Sequence, residues 1–247
     1  MEYRDRTYRS RISKGNLVPF QVTVKETDLY IAADTDCTDA ALKSVRNHRE
    51  CIEEYIRTNP SFMDSMVPVV PDPFAPAIIQ EMIEASGRCR VGPMASIAGA
   101  IARHVGLDLM AHSENVIIEN GGDIFARVTD REALSVGVFA GDSPLSDKVF
   151  LRVRPGNTPY GICTSSGTVG HSKSFGKADA VCVTSRSSTL ADAAATAIAN
   201  HVKGERDIRT ALDYGFEIEG ILGVLIIVGD KLGVRGEVEL AESGVVA

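Results

Sequence analysis

The spacing of apolar residues predicts a pair of strands at the start of the chain and helices after it. Phe20 to Val24 alternates apolar and polar side chains, and the apolar pattern resumes from Leu29 to Ala32 after a polar turn. From Thr38 to Ile56 the apolar residues recur at helical spacing, and Thr38 and Asp39 are the expected caps of this helix. After a Pro-rich linker, the same spacing predicts a second helix.

A third helical segment, Val91 to Ala102, contains no charged residue and consists largely of small side chains. Pro93 is typical of a first helical turn, and Gly106 is typical of the position after a last one. Small side chains allow a backbone, another helix or a ligand to come close. A buried helix packed under a sheet has the same composition, so the segment alone does not distinguish these interpretations.

From residue 115 the apolar spacing changes to that of strands, and helices return near residue 189. The predicted strands are Val116 to Glu119, Ile124 to Val128, Ser135 to Phe139, Val149 to Val153, Gly161 to Thr164, Ala180 to Ser185, Val224 to Val228 and Lys231 to Val234. The predicted helices of this half are Thr189 to Val202 and Glu205 to Tyr214. Because the strands are grouped before and after helices, we expect an α+β fold with antiparallel sheets.

The composition is that of a folded globular protein. With 247 residues, 44% hydrophobic and 24% charged, we interpret residues 1–247 as a single domain. The formal net charge of −7 disfavours nucleic acid as a partner and favours a small molecule. The composition leaves the oligomeric state open.

Cysteine usage and the length of the apolar runs indicate the compartment. The five cysteines are odd in number and widely spaced, and a reducing compartment is the simplest interpretation of this pattern. They form no Cys-x-x-Cys pair, which argues against a zinc knuckle and against a thioredoxin-type redox pair. Residues 1–6 alternate charges where a secretory signal needs an apolar core. The longest apolar run, Ile221 to Val228, is far shorter than the roughly 20 residues that span a bilayer. We therefore expect a cytoplasmic protein without a membrane partner.

The first candidate site is Asn120-Gly121-Gly122-Asp123, which lies between two apolar strands. Gly-Gly between strands is an ordinary hairpin signal, and Asn and Asp are favoured in turns. In a functional interpretation the two glycines leave backbone amides bare for a ligand. Asn120 and Asp123 would then form hydrogen bonds with the polar edges of that ligand.

The second candidate is Thr164-Ser165-Ser166-Gly167, which is followed by His171. Hydroxyls and glycines after a strand, beside a histidine, resemble an anion-binding loop with a titratable group, although a polar surface loop has a similar composition. The segment is neither a Walker phosphate-binding loop nor a nucleophile elbow, because the glycines that those motifs require are absent.

The third candidate is the helical pair Asp192 and Thr196, which lie four residues apart and so share one face. Both side chains offer oxygen ligands of the kind that Mg²⁺ accepts. The alternative is structural, since Thr189-x-x-Asp192 is also a capping-box pattern. The surrounding alanines leave room beside the carboxylate, and a cap does not require Thr196.

These three segments, in this order and together with the small residues from Gly92 to Ala102, resemble the ApbE superfamily. Its characterised members are FAD:protein FMN transferases. The resemblance runs from about Val91 to Asn200. It implies a T-fold-like α+β architecture, with antiparallel sheets covered by helices, and a flavin nucleotide, FAD or FMN, held near the Gly-Gly-Asp and Ser-Gly segments.

The resemblance also implies a metal site and a reaction. Mg²⁺ would be held by Asp192 and Thr196 together with a backbone carbonyl near Met94 or Ala95. The transferred group would be FMN, and the acceptor would be a protein hydroxyl. His171 would act as the general base for that hydroxyl.

The chain also departs from the transferases. After the Ser-Gly segment the transferases carry a His-x-Ile-Asp-Pro stretch, whereas this chain has His171-Ser172-Lys173-Ser174-Phe175-Gly176. The histidine is kept and the Asp-Pro is absent. The chain therefore looks more like the short cytoplasmic ApbE-like proteins of unassigned function. The first alternative to catalysis is a flavin or nucleotide carrier that uses the same site. A second alternative makes Cys163 a reactive thiol in sulfur handling.

Overall fold

The computed structural model describes residues 17–129, 134–154, 156–167 and 176–242. The strands in these ranges are β1 (Val18–Val24), β2 (Thr27–Ala33), β3 (Val116–Asn120), β4 (Asp123–Arg127), β5 (Leu134–Gly137), β6 (Val149–Val153), β7 (Tyr160–Ser165), β8 (Ala180–Ser185), β9 (Ile221–Val228), β10 (Lys231–Gly236) and β11 (Glu239–Glu242). The helices are α1 (Thr38–Thr58), α2 (Ser61–Asp64), α3 (Ala77–Cys89), α4 (Ile97–Leu109), α5 (Ser188–His201) and α6 (Ile208–Glu217). Short 3-10 helices occupy Pro93–Ser96 and Glu205–Asp207. None of the helices in the described ranges is long and apolar enough to cross a membrane.

The strands form two antiparallel sheets. Within the described ranges, the large sheet has eight strands in the order β1-β2-β3-β4-β7-β8-β9-β10, and the small sheet has three in the order β11-β6-β5. Every pair of neighbouring strands is antiparallel. This confirms the α+β class with antiparallel sheets.

The large sheet lies between a helical layer and the small sheet. On one face, α1, α3 and α4 bury a cluster with β1 to β4 that includes Leu109 and Phe125. On the same face α5 and α6 pack against β7 to β9, with Ile198 fully buried. The opposite face meets the small sheet through residues such as Ile117 and Leu151. Side chains alternate between the two faces along each strand, so the helical face receives every second residue.

The segment from Val91 to Ala102 divides into the 3-10 helix and the first turns of α4. Its small residues permit close packing under the sheet: a Cβ added to Gly99 would stand 2.3 Å from the backbone oxygen of Ser188 on α5. Gly106 does not follow the helix, as the sequence suggested, but lies inside α4. A Cβ there would stand 2.2 Å from the ring of Phe125, so the position is small because an aromatic ring covers it.

Two further expectations are corrected at element ends. Thr38 and Asp39 do not cap α1; instead Asp36 Oδ1 accepts hydrogen bonds from the Thr38 backbone N–H at 2.9 Å and the Thr38 hydroxyl at 2.6 Å. Strand β11 was not expected, because Glu239–Glu242 is short and lacks β-branched residues. It adds an edge to the small sheet by pairing with β6.

Candidate functional site

The Asn120–Asp123 segment forms a two-residue hairpin turn between β3 and β4. Gly121 and Gly122 have φ of 67° and 105°, a left-handed region that glycine adopts readily, so the hairpin prediction is confirmed. The Gly122 N–H donates to Glu119 Oε1 at 2.7 Å, which corrects the expectation that both amides are bare. Asn120 and Asp123 are paired across the hairpin, and both side chains point to the helical face.

The hairpin meets the first turn of α4. Asn120 Nδ2 donates to the backbone oxygen of Ala98 at 3.0 Å. The Gly99 N–H donates to Asp192 Oδ2 at 2.8 Å, and Ser188 Oγ donates to the Gly99 oxygen at 2.8 Å. The first turn of a helix has N–H groups without partners inside the helix, and here a carboxylate of the neighbouring helix binds one of them. The hairpin, α4 and α5 therefore come together at one point.

Asp192 does not belong to a capping box of its own helix. The N-cap of α5 is Ser187, whose Oγ accepts from the Leu190 N–H at 3.2 Å. Thr189 Oγ1 is buried and has no hydrogen-bond partner in the described part of the chain. The capping-box alternative is wrong because the helix begins earlier than the sequence suggested, which leaves Asp192 free to reach α4.

The carboxyl groups of Asp192 and Asp123 interact electrostatically at this point. Burial raises the pKa of Asp192 to about 7, although hydrogen bonds from the Gly99 and Ala98 amides oppose the shift. Burial, followed by the charge of Asp192, raises the pKa of Asp123 well above its usual value. Neither carboxyl group forms an ion pair with a Lys, Arg or His of the described ranges, and Asp123 Oδ1 is buried without a hydrogen-bond partner there. Such a pair needs a proton or a cation to be stable in this environment.

Strand β7 brings the second candidate segment beside the hairpin. Asp123 on β4 is paired with Cys163 on β7, and Thr164 follows next in that strand. Ser165 lies on the same face as Cys163, towards the helices, and its hydroxyl is buried without a hydrogen-bond partner in the described residues. Thr164 lies on the opposite face, where its hydroxyl bonds Cys182. The backbone of Thr164 forms a hydrogen bond with Asp123, and the assignment of Thr164 to a ligand-binding segment stays a prediction.

Ser166 and Gly167 follow the end of β7. The Gly167 N–H donates to the Ala178 oxygen at 2.9 Å, and a Cβ at Gly167 would stand 2.2 Å from the Gly176 oxygen. Glycine at this position is therefore required by close contact between two chain segments. His171 lies outside the described residues, and its assignment as general base stays a prediction.

The predicted metal ligands lie in the 3-10 helix before α4 and in the first three turns of α5. Asp192 and Thr196 share a face of α5, and both are partly exposed. The Met94 oxygen accepts from the Ile97 N–H. The Gly99 N–H belongs to the first turn of α4, where the helix itself offers no acceptor, and it donates to Asp192.

The side chains at this point offer oxygen ligands, of the kind that Mg²⁺ accepts. The described ranges hold no group of three or more His, Cys, Asp or Glu residues that could bind a metal ion. Mg²⁺, in contrast, is commonly held by one or two carboxylates with substrate phosphates and water. The side chains of Asp192 and Thr196 therefore fit Mg²⁺ when a phosphate-containing ligand completes the coordination.

Cys163 is a poor candidate for a reactive thiol. Its Sγ donates to the Ser188 oxygen at 3.2 Å, and the residue is fully buried. Burial and the charge of Asp123 raise the pKa of Cys163 well above its usual value, which suppresses the nucleophilic thiolate.

Solved structures of ApbE proteins share this architecture. The ApbE protein of Thermotoga maritima matches with a TM-score of 0.56 and 13% identity, over 90% of this chain and 97% of that one. The flavinyl transferase ApbE of Pseudomonas stutzeri, in its apo form, matches with a TM-score of 0.53 and 14% identity, over 89% and 94%. At these identities the similarity establishes the fold alone, an α+β fold like that of the ApbE proteins.

Sequence comparisons give the family. The model of the AbpE_bact family, described as AbpE bacteria, matches residues 9–234. UPF0280 protein MJ1526 of Methanocaldococcus jannaschii is 41% identical over 224 residues, 88% of this chain and 90% of its own. A UPF0280 protein of Methanothermobacter thermautotrophicus is 43% identical over 199 residues, 78% of this chain and 76% of its own. The chain belongs to the AbpE_bact family, and the UPF0280 proteins are its short relatives of unassigned function.

Proposed function

We propose that this protein binds a flavin nucleotide together with Mg²⁺ and cleaves the pyrophosphate of FAD, so that FMN passes to a hydroxyl group of an acceptor protein. The observation that carries the proposal is the pair of carboxyl groups, Asp123 and Asp192, which has no cationic partner in the described residues and lies beside the first turn of α4. The name of one structural relative, the flavinyl transferase ApbE of Pseudomonas stutzeri, supplies the class of ligand.

The residues divide into a metal-binding and a nucleotide-binding group. Asp192 and Thr196 would hold Mg²⁺ with the backbone oxygen of Met94 or Ala95. Bound there, Mg²⁺ would neutralise the charge of the pyrophosphate. A metal at Asp192 also relieves the repulsion between the carboxyl groups, which favours the ionised form of Asp123.

The nucleotide would lie along the hairpin and the end of β7. Asn120 is fixed by its bond to Ala98, which leaves its side-chain oxygen to accept from a ligand. The buried Ser165 hydroxyl supplies a donor that the described protein does not use. Gly121 keeps the turn free of side chains, and the Ser166 and Gly167 backbone extends the same edge of the sheet.

In the reaction, the acceptor hydroxyl attacks the phosphorus of the FMN half while the bond to the AMP oxygen breaks. His171 would take the hydroxyl proton, and AMP leaves with the former bridging oxygen.

The proposal also includes a cytoplasmic location, which is supported by the absence of disulfides among the five cysteines, all of them free.

Incubation of the full chain with FAD and Mg²⁺, in which water can replace the acceptor hydroxyl as the attacking group and so release FMN and AMP, tests the binding and the cleavage separately. Bound flavin is measured by absorbance and mass spectrometry, and AMP by chromatography, with and without a chelator. We expect Mg²⁺-dependent flavin binding by both the wild type and His171→Ala, and roughly 100-fold slower AMP release by His171→Ala, because general-base catalysis contributes about 10²–10⁴-fold. His112→Ala, a solvent-exposed histidine after α4, is the control and should behave as the wild type.

Each alternative has its own outcome. Flavin binding without AMP release would identify a carrier, and failure to bind flavin would overturn the proposal. Equal AMP release by His171→Ala would remove the histidine from the reaction. We expect poor FMN transfer to a standard acceptor peptide, because the Asp-Pro stretch after the histidine is absent. Rapid flavinylation of that peptide would contradict this expectation.

A further inference from the structure

Glu81 on α3 joins three helices at a point outside the candidate site. Its Oε1 lies 2.8 Å from Arg103 Nε in an ion pair and accepts a hydrogen bond from Ser187 Oγ at 2.9 Å, and its Oε2 accepts from His104 Nε2 at 2.9 Å. Arg103 and His104 belong to α4, and Ser187 is the N-cap of α5. A single carboxylate therefore connects α3, the middle of α4 and the beginning of α5.

Glu81 is a partly buried but fully compensated anion. Burial would raise its pKa, but the hydrogen bond from His104 and the charge of Arg103 outweigh that effect and lower the pKa of Glu81 to about 2. The carboxylate also lies at the N-terminal end of α5, where the helix dipole favours negative charge. Its contacts therefore persist at neutral pH.

The contacts of Glu81 determine where α5 starts relative to α4. Ser187 accepts from the Leu190 N–H while it donates to Glu81, so the cap of α5 is tied to α3. Arg103 also donates to the Arg186 backbone oxygen at 3.2 Å, which ties the residue before the cap to α4. These bonds hold the entry to α5 from both neighbouring helices.

The candidate site lies within two turns of this entry, on the same two helices. The Gly99 N–H on α4 donates to Asp192 Oδ2 on α5 at 2.8 Å, a distance that tolerates little displacement. A helix moves nearly as a rigid body over so short a length, so displacement at Ser187 also displaces Asp192.

We propose that Glu81 is a positioning residue that sets the register of α5 against α4 and so places the Asp192 carboxylate for its ligand. The proposal rests on the proposed function in one respect, namely that Asp192 binds Mg²⁺. Glu81 itself touches neither metal nor nucleotide.

Two matched pairs of variants test the proposal in the full chain. Ser187→Asp keeps a good N-cap but places a carboxylate against Glu81, whereas Ser187→Asn keeps the cap and restores a donor. Glu81→Gln removes the negative charge of the Glu81 carboxylate. Its control, Glu84→Gln, removes an exposed carboxylate of the same helix that pairs only with Arg88 in the described residues. The first readout is amide hydrogen exchange at Gly99 and at Ile198, measured by NMR, and the second is Mg²⁺ affinity from calorimetry with FAD present.

We expect Ser187→Asp and Glu81→Gln to accelerate exchange at Gly99 by about tenfold or more, with a much smaller change at Ile198, and to weaken Mg²⁺ affinity in parallel. Ser187→Asn and Glu84→Gln should match the wild type. Equal acceleration at Gly99 and Ile198 would show a general loss of stability and would overturn the positioning role. Wild-type exchange at Gly99 in both Ser187→Asp and Glu81→Gln would also overturn it. If the wild type binds no Mg²⁺, the proposed metal site fails, but Gly99 exchange still decides the role of Glu81.

Discussion

Asp192→Asn should make the metal-free protein more stable at pH 8 while it abolishes Mg²⁺-dependent nucleotide binding. The amide keeps an oxygen that can accept from Gly99, but it removes a charge beside the buried Asp123. The folded-state pKa of Asp192, about 7, lies above its unfolded value of 3.8, so the folded protein holds this proton more tightly. Metal-free stability therefore falls as the pH rises from about 4 to about 7, and the amide removes this loss.

The comparison needs urea unfolding of three variants at pH 5 and pH 8 in the presence of a chelator. We expect Asp192→Asn to gain on the order of 1–2 kcal/mol over the wild type at pH 8 and roughly a third of that at pH 5. Asp192→Ala should be less stable than Asp192→Asn by about 0.5–2 kcal/mol, because it also loses the acceptor for Gly99. Asp142→Asn, an exposed carboxylate, is the control. Unchanged metal binding in folded Asp192→Ala would show that Asp192 only caps α4.

Local features of the sequence were sufficient where a short segment determines its own structure. The turn at Gly121 and Gly122 follows from residues that adopt left-handed φ, and the shared face of Asp192 and Thr196 follows from helical spacing. The order of strands and helices gave the α+β class for the same reason. None of these predictions depends on a partner that is distant in the chain.

The partners of the site residues could not be predicted, because they are separated by long stretches of chain. Gly99, which binds Asp192, lies 93 residues earlier, and Ser187 lies 106 residues after Glu81. Their residue types carry no signal, since a Gly in a small-residue helix and a Glu in an amphipathic helix are both ordinary. Thr164 shows a related limit: period-two alternation separates it from Ser165, but only the packed structure shows which face meets the helices.

Gly99→Ala adds a single methyl group and should nevertheless lower the stability of the protein strongly. The new Cβ would stand 2.3 Å from the Ser188 oxygen and 2.8 Å from Asp192 Cβ, and a backbone oxygen cannot rotate away. The helices α4 and α5 must separate, which lengthens the bond between Gly99 and Asp192. We expect a loss of about 1–3 kcal/mol in the free energy of unfolding, typical of overpacking, together with weaker Mg²⁺ binding.

Gly87→Ala is the matched control because it makes the same chemical change in helix α3, at a position with no atom within 4 Å of the added Cβ. It should stabilise the protein by roughly 0.5–1 kcal/mol, since alanine costs less entropy than glycine in a helix. Urea unfolding and Mg²⁺ calorimetry on both variants separate the effect of space from that of helix propensity. If Gly99→Ala gained stability as Gly87→Ala does, α4 and α5 would not be in contact at this position, and the placement of Asp192 against α4 would be wrong.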